Sequence, residues 1–285
     1  MSIKVCKFGG TSMADGTNIA RVADIIKSDE TRRYVVVSAP GKRFGGDIKV
    51  TDLLYACYED ATKTGSCKNS FVKIRERFEN IVRELGVDMD IAALLDRTER
   101  EIDEEKSADF TASRGEFLSG NVMAAVLGVP FVDAKGVVLF NDDGSLAAED
   151  SYKALSEALA DKPKAVVGGF YGSYRNGKVK TFSRGGSDIS GAIVARAVLA
   201  DLYENWTDVS GFLACDPRIV DNPKGIKVLS YRELRELSYM GANVLHSDSI
   251  FPVKSANIPI NIRNTFRPED EGTMIVPISR YQYTG

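Results

Sequence analysis

The chain has 285 residues, 44% of them apolar and 27% charged, enough for one large core or two lobes. Its 37 basic and 40 acidic residues leave a net charge of −3, which gives no electrostatic footprint for nucleic acid or an anionic membrane. No apolar run approaches the ~18 residues of a membrane span, and Lys4, Lys7 and the glycines interrupt any leader-like pattern at the N-terminus. Cys6, Cys57, Cys67 and Cys215 are scattered without a CxxC pair, so reduced thiols and a cytoplasmic location are expected rather than disulfides or zinc. His246 is the single histidine, which argues against a multi-histidine metal centre or a Ser–His–Asp triad.

The first chemical feature is IKVCKFGGTSMADG at residues 3–16. Ile3, Val5 and Phe8 supply a strand, Gly9 and Gly10 break it, and Asp15 can cap a helix carrying Ile19, Val22, Ala23 and Ile26 at helical spacing. Lys7 therefore stands just before a glycine turn that leads into a helix. That arrangement suits phosphate, because the backbone N–H groups are accessible and an ammonium lies beside them. An ordinary strand–turn–helix with a surface lysine fits the same spacing.

Further along, residues 35–38 read as a buried strand and residues 39–50 as a glycine- and lysine-rich loop. Residues 51–64 read as a helix, residues 69–105 as two amphipathic helices separated near Gly86 and Val87, and residues 108–128 as a helix with a polar entry. Short strands are expected at 130–132 and 137–140, a helix over 151–160, and strands at 165–168 and 179–182. An apolar helix over 189–199 and a strand at 202–206 follow. Helices near 230–240 and 247–256 precede a last strand at 258–262, and the remaining tail reads as a linker or a partly docked end. This alternation favours an α/β fold.

Two more segments carry chemistry. In SRGGSDISG (residues 183–191), Ser187 or Asp188 can cap the following helix, and Arg184 beside two glycines can clamp a carboxylate bidentately. Plain capping and a solvated surface arginine explain the same residues. In residues 205–224, Trp206 ends a strand, and Thr207 and Asp208 offer a hydroxyl and a carboxylate at its C-terminal edge, where open α/β sheets bind ligands. Asp216, Pro217 and Arg218 form a turn that presents an arginine, or equally a proline loop with a structural salt bridge.

In order, KFGGTSMADG, VVSAPG, VTDLL, SRGEFL, FSRGGSD, WTDVSGF and DPRIV resemble the motifs of aspartate kinases, members of the amino acid kinase superfamily. The resemblance runs from residue 3 to about residue 275. It implies a three-layer α/β/α sandwich around a mostly parallel sheet. It also implies transfer of the γ-phosphoryl of ATP, with Mg²⁺, to the β-carboxylate of L-aspartate, the first step of lysine, threonine and methionine biosynthesis.

The roles implied by the resemblance are as follows. Lys7, helped by Gly9 and Gly10, would meet the transferring phosphoryl, and Asp188 would orient Lys7 or the substrate. Ser38, Thr51 and Ser187 would hold the substrate side. Glu116 would take the α-ammonium of aspartate and Arg184 its α-carboxylate. Thr207, Asp208 and Arg218 would hold the nucleotide. Leu213 and Asn243 stand at nucleotide-side positions where the family often carries an aromatic and a lysine; Lys224, Lys227 or Lys254 can supply the missing charge. His246 is expected to pack or to enter a helix. A protein-held metal site is not expected, and a homodimer is.

The resemblance divides the chain into a catalytic region over 1–268, with an amino-acid lobe to about 188 and a nucleotide lobe over 189–268, followed by a linker stub over 269–285. Only ten residues follow Ile275, against the ~60–70 of a small regulatory ACT domain. The expectation is therefore a catalytic region alone, indifferent to lysine and threonine. Two alternatives stay open: a related kinase for glutamate, acetylglutamate or a nucleotide, and an inactive ligand-binding partner subunit. The chain lacks GxxxxGK[ST], and no GxGxxG follows a strand, which disfavours P-loop ATPases and dehydrogenases.

Overall fold

The computed structural model describes residues 2–183, 185–215, 223–239, 245 and 247–280. In chain order the elements are β1 (Lys4–Phe8), α1 (Gly16–Lys27), β2 (Arg32–Val37), α2 (Val50–Thr64), α3 (Lys68–Leu85), α4 (Ile91–Glu105) and α5 (Ala108–Leu127). There follow β3 (Phe131–Val132), β4 (Leu139–Phe140), α6 (Ala148–Leu159), β5 (Ala165–Gly168), β6 (Tyr171–Tyr174), β7 (Val179–Thr181), α7 (Gly186–Ala197) and β8 (Leu202–Thr207). The chain closes with β9 (Val228–Ser230), α8 (Tyr231–Tyr239), α9 (Phe251–Ser255), β10 (Ile260–Asn264) and β11 (Thr273–Val276).

Among the described residues the main sheet has eight strands in the order β3-β5-β2-β1-β8-β10-β11-β9. Every junction is parallel except β10–β11. A second sheet of three strands, β4-β6-β7, stands beside it. The central strands are apolar on both faces (Val35, Val36 and Val37 of β2; Val166 and Val167 of β5), as expected of parallel strands covered by helices above and below.

Alternation along β1 and β8 sorts the two faces. Cys6, Phe8, Glu204 and Trp206 face the α1 side. There the buried Glu204 carboxylate accepts hydrogen bonds from the Arg32 guanidinium (2.8 Å) and the Trp206 indole N–H (2.9 Å), and Arg32 also donates to the Ile25 carbonyl of α1. The Trp206 ring stacks on Phe8, with the Arg32 and Arg263 guanidinium carbons 5.2 and 4.6 Å from its centroid. Lys7, Tyr203 and Asn205 face the opposite side, under α7. Gly191 allows α7 to lie this close, because a Cβ there would stand 2.6 Å from the Tyr203 hydroxyl.

The helices follow their patterning. Asp15 caps α1 by accepting from the Asn18 N–H at 2.8 Å. In α3, Phe71, Ile74, Phe78, Ile81 and Val82 form one buried stripe, whereas α5 is buried nearly all round and packs against α2, β5 and β7. Of the two readings of the tail, a linker or a partly docked end, residues 273–276 fit the second: β11 pairs antiparallel with β10 and parallel with β9, and Thr273 and Ile275 are fully buried. Among the described residues no helix is long and apolar enough to cross a membrane.

Candidate active site

The site lies where the C-terminal ends of β1, β2 and β8 meet the start of α7, the edge at which parallel α/β sheets bind ligands. Lys7 and Asn205 are direct partners across β1 and β8. After Phe8 the chain turns through Gly9, whose N–H donates to the Trp206 carbonyl at 3.1 Å, and Gly10, whose carbonyl accepts from the N–H groups of Met13 (3.1 Å) and Gly41 (2.8 Å). A Cβ on Gly41 would stand 2.7 Å from the Gly10 carbonyl carbon, so the turn after β1 and the loop after β2 touch backbone to backbone.

Lys7 is only 7% exposed, and its Nζ lies 2.6 Å from Asp188 Oδ1. The same carboxylate oxygen accepts from the Asn205 amide at 2.9 Å, and the Tyr203 hydroxyl donates to the Asp188 carbonyl at 3.0 Å. The expectation that Ser187 or Asp188 caps the helix is corrected here. The N-cap is Gly185, in the left-handed region at φ 57°, and α7 begins at Gly186, so both residues lie in its first turn. Because their side chains make no cap, Asp188 is left to meet Lys7, and Ser187 Oγ accepts from Ser38 Oγ at 2.8 Å. The acidic side chain also sits at the positive end of the helix.

A cleft of about 380 Å³ opens beside this cluster, lined among others by Gly10, Ser38, Lys42, Lys49, Thr51 and Glu116. Glu116, from α5, is 6% exposed, and its Oε2 is buried without a hydrogen-bond partner among the described residues. Burial pushes its pKa up to about 8, against the pull of the Ala39 N–H and the positive charge of Lys7. A buried carboxylate oxygen without a partner is costly unless a donor arrives. The loop forming the cleft wall is clamped by the buried Arg77 of α3. Its guanidinium donates to the carbonyls of Ala14 (3.3 Å), Gly41 (3.1 Å) and Ile48 (3.3 Å) and pairs with Asp47 at 2.7 Å. Arg43, the neighbouring backbone N–H groups and Arg77 hold the Asp47 carboxyl well below the usual carboxylate range.

Thr207 and Asp208 end β8. The Thr207 hydroxyl donates to Asp208 Oδ1 at 3.2 Å, and the Thr11 hydroxyl lies 3.5 Å from Asp208 Oδ2, tying this edge to the turn after β1. Leu213 is 44% exposed and makes an isolated antiparallel bridge with Gly225. Arg184, Arg218, Asn243 and His246 lie outside the described residues. The structure thus groups Lys7, Gly9, Gly10, Ser38, Ser187 and Asp188 at one strand edge, with Thr51 and Glu116 in the adjoining cleft.

It adds Asn205, Gly41, Lys42, Lys49 and Arg77, which sequence reasoning missed. Asn205 had a signal, being with Glu204 one of two polar residues at the centre of the strand LYENWT; Arg77, in a helix crowded with exposed charges, had none. Among the described residues no three histidine, cysteine or acidic side chains converge on a metal position. A divalent cation carried on phosphates takes only one or two protein oxygens. The arrangement can receive a small molecule that brings a cationic group to Glu116 and an anionic one towards Lys7.

The sequence profile of the amino acid kinase family matches residues 2–264. The chain is 39% identical over 290 residues to aspartokinase 3 of Bacillus subtilis, covering 96% of this chain and 63% of that protein. The crystal structure of Clostridium acetobutylicum aspartate kinase superposes with a TM-score of 0.94 at 49% identity, covering 99% of this chain and 64% of that one. Aspartokinase III of Escherichia coli, solved with aspartate and ADP, superposes with a TM-score of 0.82 at 28% identity, covering 97% of this chain and 65% of that one. The chain thus spans just under two thirds of the length of these relatives. With a matching profile, a shared fold and aspartokinases among its relatives, the chain belongs to the amino acid kinase family, in its aspartokinase branch.

Proposed function

We propose that this protein transfers the γ-phosphoryl group of ATP to the β-carboxylate of L-aspartate, giving 4-phospho-L-aspartate. The observation that carries this reading is the buried Glu116 carboxylate, one oxygen of which has no hydrogen-bond partner among the described residues, in the lining of the cleft that opens beside the Lys7–Asp188 cluster. It asks for an ammonium, which a free α-amino acid supplies and an N-acylated one or a nucleoside monophosphate does not. Aspartokinase III of E. coli, solved with aspartate and ADP, supports aspartate together with an adenine nucleotide as ligands.

The chemistry follows from charge. The nucleophile is a carboxylate already ionised at neutral pH, so no general base is needed. The obstacle is repulsion, about 4 kcal/mol for unit charges 4 Å apart at an effective dielectric near 20. Lys7 screens the anions where they meet, and the glycine turn lets the phosphates approach the backbone closely. Mg²⁺ bound to the nucleotide supplies further charge neutralisation. Ser38, Thr51 and Ser187 position the amino acid, and Arg184 takes its α-carboxylate. Thr207, Asp208, Leu213, Arg218 and Asn243 form the nucleotide side, so the amino-acid lobe ends near residue 188 and the nucleotide lobe runs on to about residue 268.

A coupled assay of ATP turnover tests this, with aspartate, glutamate and N-acetylglutamate as acceptors and hydroxylamine to trap the acyl phosphate. Turnover should be highest with aspartate. Preference for N-acetylglutamate, or no turnover with any acceptor, would overturn the proposal; the second outcome points to a ligand-binding partner subunit.

A further inference from the structure

We propose that Asn205 is a positioning residue for Lys7, acting through Asp188. The inference rests on the phosphotransfer reading above and deepens it. Lys7 and Asn205 are paired on neighbouring parallel strands, so both side chains leave the same face of the sheet towards α7. Their outer neighbours in that row are Val36 beside Lys7 and Ile262 beside Asn205, both apolar. Asn205 is 3% exposed. Its amide donates to Asp188 Oδ1 at 2.9 Å, the oxygen that holds Lys7 Nζ at 2.6 Å.

Two donors on one oxygen fix the rotation of the carboxylate, while the Tyr203 hydroxyl fixes the carbonyl of the same residue. The Lys7–Asp188 pair is thereby kept single-pronged. An ammonium has three N–H donors, so two remain for phosphoryl oxygens. Without Asn205, the lone pair left open on Asp188 faces Lys7 as its nearest described donor. The carboxylate then turns onto the ammonium and holds it away from the phosphoryl group. That loss falls on the chemical step and spares ground-state binding. A residue that merely filled space would change stability without separating kcat from KM.

The test is steady-state kinetics of Asn205→Leu and Asn205→Asp for both substrates between pH 6 and 8.5. Asn205→Leu keeps the volume and loses the donor; kcat should fall about 10- to 100-fold, with both KM values within about threefold of wild type. In Asn205→Asp the new carboxyl donates only when protonated, so its activity relative to wild type should rise as pH falls. The charged and titratable groups facing this position are Lys7 from β1, Asp188 from α7, the Tyr203 phenol on the same strand, and Glu116 of α5, whose charge acts on Lys7. Protonation of Glu116 weakens substrate binding in both proteins and cancels in the ratio.

A wild-type kcat in Asn205→Leu overturns the inference, and so does a ratio for Asn205→Asp that stays flat or falls with decreasing pH. If thermal melts show that Asn205→Leu does not fold, the isosteric Asn205→Asp profile decides. A wild type with no turnover on aspartate overturns the phosphotransfer reading, and this inference with it.

Discussion

Replacing Glu116 by glutamine (Glu116→Gln) isolates the proton that a buried carboxyl must release before it can hold an ammonium. Burial raises its pKa from the ordinary 4.5 to about 8. At pH 7 only about a tenth of the unliganded protein therefore carries the anion. Binding an α-ammonium there demands ionisation, so each aspartate bound at pH 7 should expel roughly 0.9 proton, and its affinity should climb close to tenfold per pH unit between about 5.5 and 7.5. Titration calorimetry in two buffers of different ionisation heat counts that proton directly. In Glu116→Gln the release should vanish, and aspartate affinity should become low and flat with pH.

The same shift bears on stability. A carboxyl whose folded value lies above its unfolded one contributes stability that is fully present below about pH 4.5 and is lost as pH rises through about 8. For this group the difference between the two limits is on the order of 4–5 kcal/mol. The unliganded protein should lose stability across that window, and Glu116→Gln should lose less. Aspartate affinity that is flat from pH 6 to 8 in the wild type, with no proton exchanged, would refute the reasoning.

Three further outcomes are expected. Lys7→Ala should lower kcat by about 10²–10³-fold or more while aspartate affinity in direct titration changes little; near-wild-type turnover would remove Lys7 from the reaction. Arg32→Met leaves the Glu204 carboxylate buried without its guanidinium, which should cost about 3–5 kcal/mol by urea unfolding; the added Glu204→Leu change should recover most of that, and a loss under 1 kcal/mol would refute it. Gly41→Ala drives a Cβ to 2.7 Å from backbone of Gly10. It should destabilise by about 1–3 kcal/mol and raise the KM for aspartate, and an unchanged KM would show that this contact does not shape the cleft.

The helices α2 to α4 were legible in the sequence because each repeats apolar residues at helical spacing, α5 because a polar entry leads into a long apolar segment, and β5 stands out as a short apolar run between turns. The strands that escaped are short and compositionally mixed. β6 is YGSY, and β11 follows the acidic, proline-bearing FRPEDEG, which masks the sheet partner behind it. The start of α7 was read three residues late because Ser187 and Asp188 resemble caps, whereas a left-handed Gly185 does that work.

At the site, Lys7 was legible as a cation before a double glycine, and Glu116 entered through the family motif that carries it. Asn205 was invisible as a partner because its meaning lies in strand register, joining β1 to a strand far along the chain. The Gly10–Gly41 contact and the Arg77 clamp escaped for the same reason: each joins segments that only the fold brings together.

The contact between Gly10 and Gly41 makes the cleft a gauge of length. Its two walls are the turn after β1 and the loop after β2, and they are fastened by a hydrogen bond of 2.8 Å and again through Arg77, which grips the carbonyls of Ala14 and Gly41 together. Ties of this kind resist spreading of the cleft between the two segments and its other lining residues, Thr51 of α2 and Glu116 of α5. On the proposed reaction, a substrate with one additional methylene should shift its reactive end past Lys7 or lose its hold on Glu116. Selection of this kind by one methylene is worth about 1–3 kcal/mol, and here it would be set in part by two residues with no side chain at all.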